Sequence, residues 1–303
     1  MKRIIAVLLA SLMALTLFSG CGGQTGSKVN QPGTPAAGDS AQKVDDSAQN
    51  AAKKVLRVGM ECAYAPYNWT QSTNANGAVQ IQGSQDYAYG YDVMMAKYLA
   101  EKIGYTLEIH RMDWDSLPPA VFSGAIDCAI AGQSITADRQ MTLDFTTPYY
   151  YASIVCLVKA DSKFASATGI DGLTGAICTS QLNTVWYDVC LPQILDANIL
   201  TPMDSAPAML VALTSGACDL VVTDMPTAMA AVSVYPELKL LDFTDSSFNF
   251  AVSDEEVNIG ISLQKGNTEL LNLLNGALKD LAVSDFERMM NEAIKVQPLE
   301  TNE

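Results

Sequence analysis

Pro119-Ala120-Val121-Phe122-Ser123-Gly124-Ala125-Ile126-Asp127 runs on into Cys128-Ala129-Ile130-Ala131-Gly132. Later in the chain Leu210-Val211-Ala212-Leu213-Thr214-Ser215-Gly216-Ala217-Cys218-Asp219 runs on into Leu220-Val221-Val222-Thr223-Asp224. Both stretches read as the end of a helix, a Ser-Gly-Ala turn, an aspartate and a buried strand. Counting from the glycines, Gly132 and Asp224 hold equivalent places at the carboxyl ends of their strands. In open α/β sheets ligands bind outside those ends, so two such units facing each other would form a cleft with one strand end on each wall. The competing reading is chance similarity between two short βα units.

The sequence around these segments alternates in the same way. Short apolar runs at Val55–Met60, Leu107–Met112, Ile126–Ala131, Ile154–Val158 and Leu220–Thr223 read as strands. Helical patterns occupy Val93–Ile103, Pro207–Thr214 and Thr268–Leu281. In the last of these, apolar residues at 270, 271, 273, 274, 277, 278 and 281 form one stripe suited to core packing. Strand–helix alternation implies mostly parallel sheets covered by helices.

Composition removes several function classes. A formal charge of −15, with no Lys/Arg cluster to offset it, argues against nucleic acid. The single histidine, His110, leaves His-based metal sites and proton relays almost without material, and no metal motif, P-loop or cofactor signature is present. Cys62, Cys128, Cys156, Cys178, Cys190 and Cys218 form no CxxC pair, and several lie in apolar runs where cysteine acts as a small core residue.

The strand ends carry opposite charges. After the first comes Gly132-Gln133-Ser134-Ile135-Thr136-Ala137-Asp138-Arg139, in which Thr136 is an N-cap candidate and Arg139 falls in the first helical turn. Arginine's planar fork suits bidentate pairing with a carboxylate; its alternative is a surface pair with Asp138 or Asp144. Asp224, followed by Pro226, can receive an ammonium group or simply start a helix as its N-terminal acid. One arginine and one aspartate on opposite walls match the two charges of a zwitterionic amino acid.

At this point the sequence resembles a family. Gly90-Tyr91-Asp92-Val93, Trp114-Asp115 with Ser123-Gly124-x-x-Asp127, Ser134-Ile135-Thr136-Ala137-Asp138-Arg139, and Asp144-Phe145-x-x-Pro148-Tyr149 look like the amino-acid-type solute-binding proteins of ABC transporters, family 3. The resemblance runs from about Val55 to Pro298, with its motifs in order. It implies an α/β, two-lobed periplasmic-binding-protein-like fold (type II), with two mixed or mostly parallel sheets joined by two crossover strands. The crossings fall near Tyr151–Ile154 and Phe250–Ile259, so lobe 1 comprises 53–153 and 252–299, and lobe 2 comprises 154–251.

Carried over residue by residue, the resemblance gives Arg139 the ligand α-carboxylate, helped by Ser134. Asp224 takes the α-amino group with the backbone carbonyl of Gly132. Tyr64 and Trp114 match the aromatic pair that sandwiches the side chain; Trp114, between Asp113 and Asp115, is expected to escape deep burial. Gln181-Leu182-Asn183-Thr184 aligns with the family's Gln-x-Gly-Thr, so Asn183 and Thr184 would supply donors, with asparagine tolerating the left-handed angle usual for glycine. Glu61 stands where the family often has an acid reaching the side chain, which leans toward a cationic or amide ligand. The insertion-like stretch Thr70–Asp86 lies near that wall. The implied function is reversible capture of a free small-molecule amino acid by a monomer that feeds ABC permease subunits, without catalysis or cofactor. The rival on the same fold is a cyclohexadienyl-dehydratase-like enzyme using Glu61 or Asp224.

The amino terminus sets the expected compartment. Met1-Lys2-Arg3, an apolar run from Ile4 to Phe18 and Ser19-Gly20-Cys21 resemble a lipoprotein signal peptide (1–20), although Phe18 stands where leucine is more usual. Cys21 would be lipidated and the polar stretch to residue 52 would act as a flexible tether, anchoring an extracytoplasmic protein to the cell membrane. The chain stops at Glu303 after a short tail (300–303), with no kinase segment, so a built-in sensor is not expected.

Overall fold

The structure, a computed structural model, describes residues 53–298. The signal peptide, Cys21 and tether expected over 1–52, and the tail 300–303, lie outside the described residues. β1 (Val55–Met60) is followed by four short strands, β2 (Ala63–Tyr64), β3 (Asn68–Gln71), β4 (Val79–Gln80) and β5 (Tyr87–Tyr89). Next come α1 (Tyr91–Ile103), β6 (Thr106–Arg111), α2 (Leu117–Ser123), β7 (Cys128–Ala129), α3 (Ala137–Gln140), β8 (Leu143–Phe145) and β9 (Tyr150–Tyr151). The second sheet is built from β10 (Ile154–Lys159), β11 (Ile177–Thr179), β12 (Asn198–Ile199), β13 (Leu220–Asp224) and β14 (Leu238–Leu241), with α4 (Ala206–Thr214) and α5 (Met225–Val234) between them. The chain then returns through α6 (Asp254–Val257), β15 (Asn258–Ile259) and β16 (Ser262–Gln264) to α7 (Thr268–Leu278) and α8 (Val283–Val296).

Two five-stranded sheets result, in the orders β6-β1-β7-β16-β8 and β12-β11-β13-β10-β14. Both are mixed. In the first, β1 pairs in parallel with β6 and β7, while β16 runs antiparallel to β7 and β8. In the second, β11 pairs in parallel with β12 and β13, while β10 runs antiparallel to β13 and β14. The parallel pairs come from the strand–helix alternation; the antiparallel ones arise where β10 and β16 enter after a crossing. Between the sheets β9 and β15 pair antiparallel, Tyr151 opposite Asn258 and Tyr150 opposite Ile259.

The two quoted segments are a true structural repeat. β7 and β13 hold the same central place in their sheets, each preceded by a helix. Gly124 and Gly216 both turn left-handed, at φ 73° and 78°, as helix-ending glycines do. The following alanines close the turn in the same way, Ala125 N to Ala120 O at 2.9 Å and Ala217 N to Ala212 O at 2.9 Å. The aspartates then act alike, Asp127 accepting from Arg57 N at 2.8 Å and Asp219 from Ile177 N at 2.9 Å. Each carboxylate ties the helix–strand corner to the neighbouring strand of its own sheet.

The cores follow the expected pattern. Leu56, Val58, Met60, Ile109 and Ile130 are fully buried in the first lobe; Val155, Leu157, Leu220, Val221 and Val222 are in the second. All six described cysteines are free and buried, and burial pushes the thiols of Cys62, Cys190 and Cys218 up to about 12, which leaves them inert as core residues. The stripe expected over Thr268–Leu281 is only partly core: α7 ends at Leu278 and buries Leu270, Leu274, Ala277 and Leu278, Leu271 and Leu281 are half-buried, and Leu273 is exposed. The Thr70–Asp86 stretch folds into the outer part of a four-stranded sheet, β2-β3-β5-β4, bridged to β6 through Ile81 and Ile109. That sheet carries Tyr64 on β2, so the insertion braces the cleft wall from behind.

Candidate functional site

The carboxyl ends of the two sheets face each other and enclose a narrow cavity. Its walls are Glu61, Tyr64, Trp114, Gly132, Ser134, Arg139, Gln181, Thr184, Val185 and Trp186. Seven of the nine residues singled out from sequence therefore meet at one place, although they come from both lobes.

Local folding explains the position of each. Thr136 caps α3 by accepting from Arg139 N at 3.3 Å, which fixes the turn from which Arg139 projects. Arg139 Nη1 donates to Ser134 O at 2.9 Å and its guanidinium lies 5.4 Å from the centre of the Trp114 ring. Its Nη2 donates across the cleft to Asn183 O at 2.8 Å. Among the described residues no carboxylate pairs with Arg139, and Asp144 pairs instead with Lys265 at 3.4 Å, so the surface-pair alternative is set aside. Removal from water draws the guanidinium pKa down to about 10, opposed by the charge of Asp188. A half-buried guanidinium held only by backbone carbonyls and an indole face is a ready anion site.

Trp114 corrects one expectation: it is buried, not peripheral. It opens a short 3-10 turn in which Asp113 and Asp115 face solvent while the indole turns inward under Arg139. Charged flanks therefore say little about the residue between them.

The acid Glu61 follows β1 and is 7% exposed. Gln181 of the other lobe donates to its Oε1 at 3.2 Å, while its Oε2 has no partner. Burial raises its pKa to about 7, with Gln181 pulling down and the charges of Asp113 and Asp92 pushing further up. Tyr64 stacks on Tyr67 at 4.7 Å and approaches Trp186 at 6.2 Å. Gly132 turns left-handed at φ 64°, and a Cβ there would stand 2.7 Å from Tyr64 Cε1, so the position requires glycine.

Two expected residues lie differently from the rest. Asn183 does adopt a left-handed angle, φ 55°, but sits exposed on the outer rim with its carbonyl turned to Arg139. Asp224 is buried behind Tyr64 rather than on the cavity wall. It caps α5, accepting from Thr227 N at 3.0 Å and Thr227 Oγ1 at 3.1 Å, and also accepts from Tyr64 OH of the other lobe. Desolvation raises its pKa, opposed by these donors. The hydroxyl of Thr184 is engaged with Gln181 O at 2.7 Å and receives Tyr187 N at 3.3 Å.

Gln181, Val185 and Trp186 were not foreseen as wall residues. Gln181 lay within the aligned loop, and Trp186 is an aromatic residue just after it, on a π-helical turn at Trp186–Cys190. Among the described residues no cluster of metal ligands occurs, and no helix is long and apolar enough to cross a membrane.

Known proteins share this fold. Residues 56–292 match the family model described as bacterial extracellular solute-binding proteins, family 3. A probable histidine-binding protein of Neisseria gonorrhoeae is 27% identical over 93% of this chain and 91% of its own. An ancestral arginine-binding protein, solved bound to arginine, is 28% identical and superposes with a TM-score of 0.62 over 80% of this chain and 97% of its own. The ancestral amino-acid-binding protein AncCDT-1, a precursor of cyclohexadienyl dehydratase, is 26% identical with a TM-score of 0.63 over 79% of this chain and 95% of its own.

Proposed function

The chain belongs to the bacterial extracellular solute-binding proteins, family 3, and we propose that it captures a free amino acid with a cationic side chain and presents it to the permease subunits of an ABC importer. The observation that carries the cationic reading is Glu61, a buried carboxylate on the cavity wall whose Oε2 lacks a partner. A guanidinium or ammonium reaching that oxygen would satisfy it and restore its ionised form. Arg139 stands on the same wall system as an unpaired cation for the α-carboxylate, with Ser134 beside it. Tyr64, Trp114 and Trp186 line the space between, where aromatic faces favour a cation. The names of the histidine- and arginine-binding relatives point the same way.

In this reading lobe 1 (53–153 and 252–299) and lobe 2 (154–251) swing about the paired strands β9 and β15. A ligand touching both walls binds the closed state better and so shifts the population toward closure. The α-ammonium displaces the Tyr64 hydroxyl from Asp224 and shares the Gly132 carbonyl, while Thr184 and the Asn183 turn complete the carboxylate end. The protein acts as a monomer outside the cytoplasm, held to the membrane by lipidated Cys21.

The test is a thermal-shift screen of residues 53–303 against the common amino acids. Arginine, lysine or histidine should raise the melting temperature most. A preference for acidic or aliphatic amino acids would remove the cationic reading, and no response to any amino acid would remove amino-acid capture. Turnover of a cyclohexadienyl acid, with Glu61 as the proton donor its raised pKa allows, would favour the enzyme instead.

A further inference from the structure

Asp92 lies away from the cavity wall, yet both lobe-1 turns that carry proposed ligand contacts lead back to it. It is 0% exposed and has no Lys or Arg partner among the described salt bridges. Its two oxygens are each given one donor: Asn68 Nδ2 to Oδ2 at 2.7 Å and Tyr149 OH to Oδ1 at 2.7 Å. Asn68 and Tyr149 are themselves 0% exposed. Each then holds a backbone N–H, Asn68 Oδ1 accepting from Cys62 N at 2.7 Å and Tyr149 OH from Gly132 N at 3.0 Å.

Those two N–H groups belong to left-handed corners, one of them strained. Cys62 has φ 55°, costly for a residue that is neither glycine nor asparagine, and it separates Glu61 from β2 with Tyr64. Gly132 has φ 64° and bears the carbonyl proposed to meet the ligand ammonium. A non-glycine left-handed turn persists only where its surroundings over-determine it. Here one carboxylate supports both, through one side chain in each direction.

Resting on the assignment of Glu61 and Gly132 as ligand contacts, we infer that Asp92 is a positioning residue that sets the Glu61–Tyr64 corner and the Gly132 corner together. The direction of the network requires an acceptor on both sides. Asn68 must present its amide nitrogen to residue 92 so that its oxygen is free for Cys62 N. Tyr149 must donate to residue 92 so that its lone pair is free for Gly132 N. An asparagine at 92 has one donor end, and either orientation places that donor against Asn68 Nδ2 or Tyr149 OH. One branch then reverses or breaks, and its corner is released.

The test compares Asp92→Asn, Tyr149→Phe and Asn68→Leu by amide hydrogen exchange of the ligand-free protein and by calorimetry with L-arginine. Tyr149→Phe should speed exchange at Gly132 but not Cys62, and Asn68→Leu the reverse. Asp92→Asn should speed both relative to the strand amides of β1. Each variant should lose affinity by about tenfold or more, the worth of one buried hydrogen bond. Uniform acceleration across lobe 1, or unchanged exchange at both corners, would overturn the inference, as would wild-type affinity in all variants. If Asp92→Asn does not fold, the two branch variants decide by their opposite exchange patterns. If the wild-type protein does not bind L-arginine, the cationic reading fails and the exchange patterns alone decide the role of Asp92.

Discussion

Tyr64 of the first lobe donates its phenolic hydrogen to Asp224 of the second, so the carboxylate proposed for the ligand ammonium already holds the lobes together. The same carboxylate caps α5 through Thr227. A ligand must therefore exchange one charge-assisted hydrogen bond for another.

Tyr64→Phe keeps the aromatic face and removes that link. Hydrogen bonds to charged groups are worth about 1.5–3 kcal/mol, so the ligand-free equilibrium should move toward the open form by roughly tenfold or more. Small-angle scattering of the ligand-free variant should give a larger radius of gyration than wild type; an unchanged radius would mean that the contact does not govern closure.

The raised pKa of Glu61 has two consequences. Between its ordinary value of 4.5 and about 7 the folded chain holds a proton that the unfolded chain has released. Stability of the ligand-free protein should thus fall as pH rises through that window, by up to about 3 kcal/mol from this group, and flatten above it. A cationic ligand favours the ionised carboxylate, so affinity should rise with pH over the same range. Titration calorimetry from pH 5 to 8 checks the affinity; a flat affinity profile, or an affinity slope that survives in Glu61→Gln, would contradict it. Buried Asp92, also raised to about 7, adds its own slope to stability.

Asp219 performs in the second lobe what Asp127 performs in the first. Asp219→Ala removes the acceptor for Ile177 N at the exposed start of β11 and should cost about 0.5–1.5 kcal/mol in urea unfolding. Asp219 precedes the strand that Asp224 ends, so ligand affinity should stay within about twofold of wild type, the ordinary scatter of surface changes. A loss of binding without a loss of stability would separate the repeat from its structural role.

Cys21→Ser tests the anchor, whose residues lie outside the described ones. The full-length variant should leave the membrane fraction and appear in the medium with binding intact. Retention equal to wild type would refute lipid attachment.

Much of the cleft was legible because its walls are built from local patterns. Gly124 and Gly216 mark helix ends, Asp127 and Asp219 mark strand starts, and counting from them reaches Gly132 and Asp224. Arg139 was legible from its capped turn, while Glu61 and Tyr64 needed the family motifs. What escaped is what only the meeting of the lobes creates. Gln181 meets Glu61 across 120 positions of sequence, and Tyr64 meets Asp224 across 160. Trp186 reaches the cavity from a π-helical turn that no regular period announces. The burial of Trp114 escaped because its neighbours' charges concealed an inward-facing turn.

The most direct measurement is a calorimetric titration of residues 53–303 with L-arginine, for wild type and Arg139→Ala side by side. One saturable site per wild-type chain is expected, with a Kd of about 1 μM or tighter. Affinity should fall by at least roughly 100-fold in the variant, as for loss of the ligand's charge partner, with its thermal unfolding still cooperative. Equal affinity in both proteins would contradict the placing of the ligand carboxylate on Arg139, and no saturable heat with the wild type would contradict capture of a cationic amino acid.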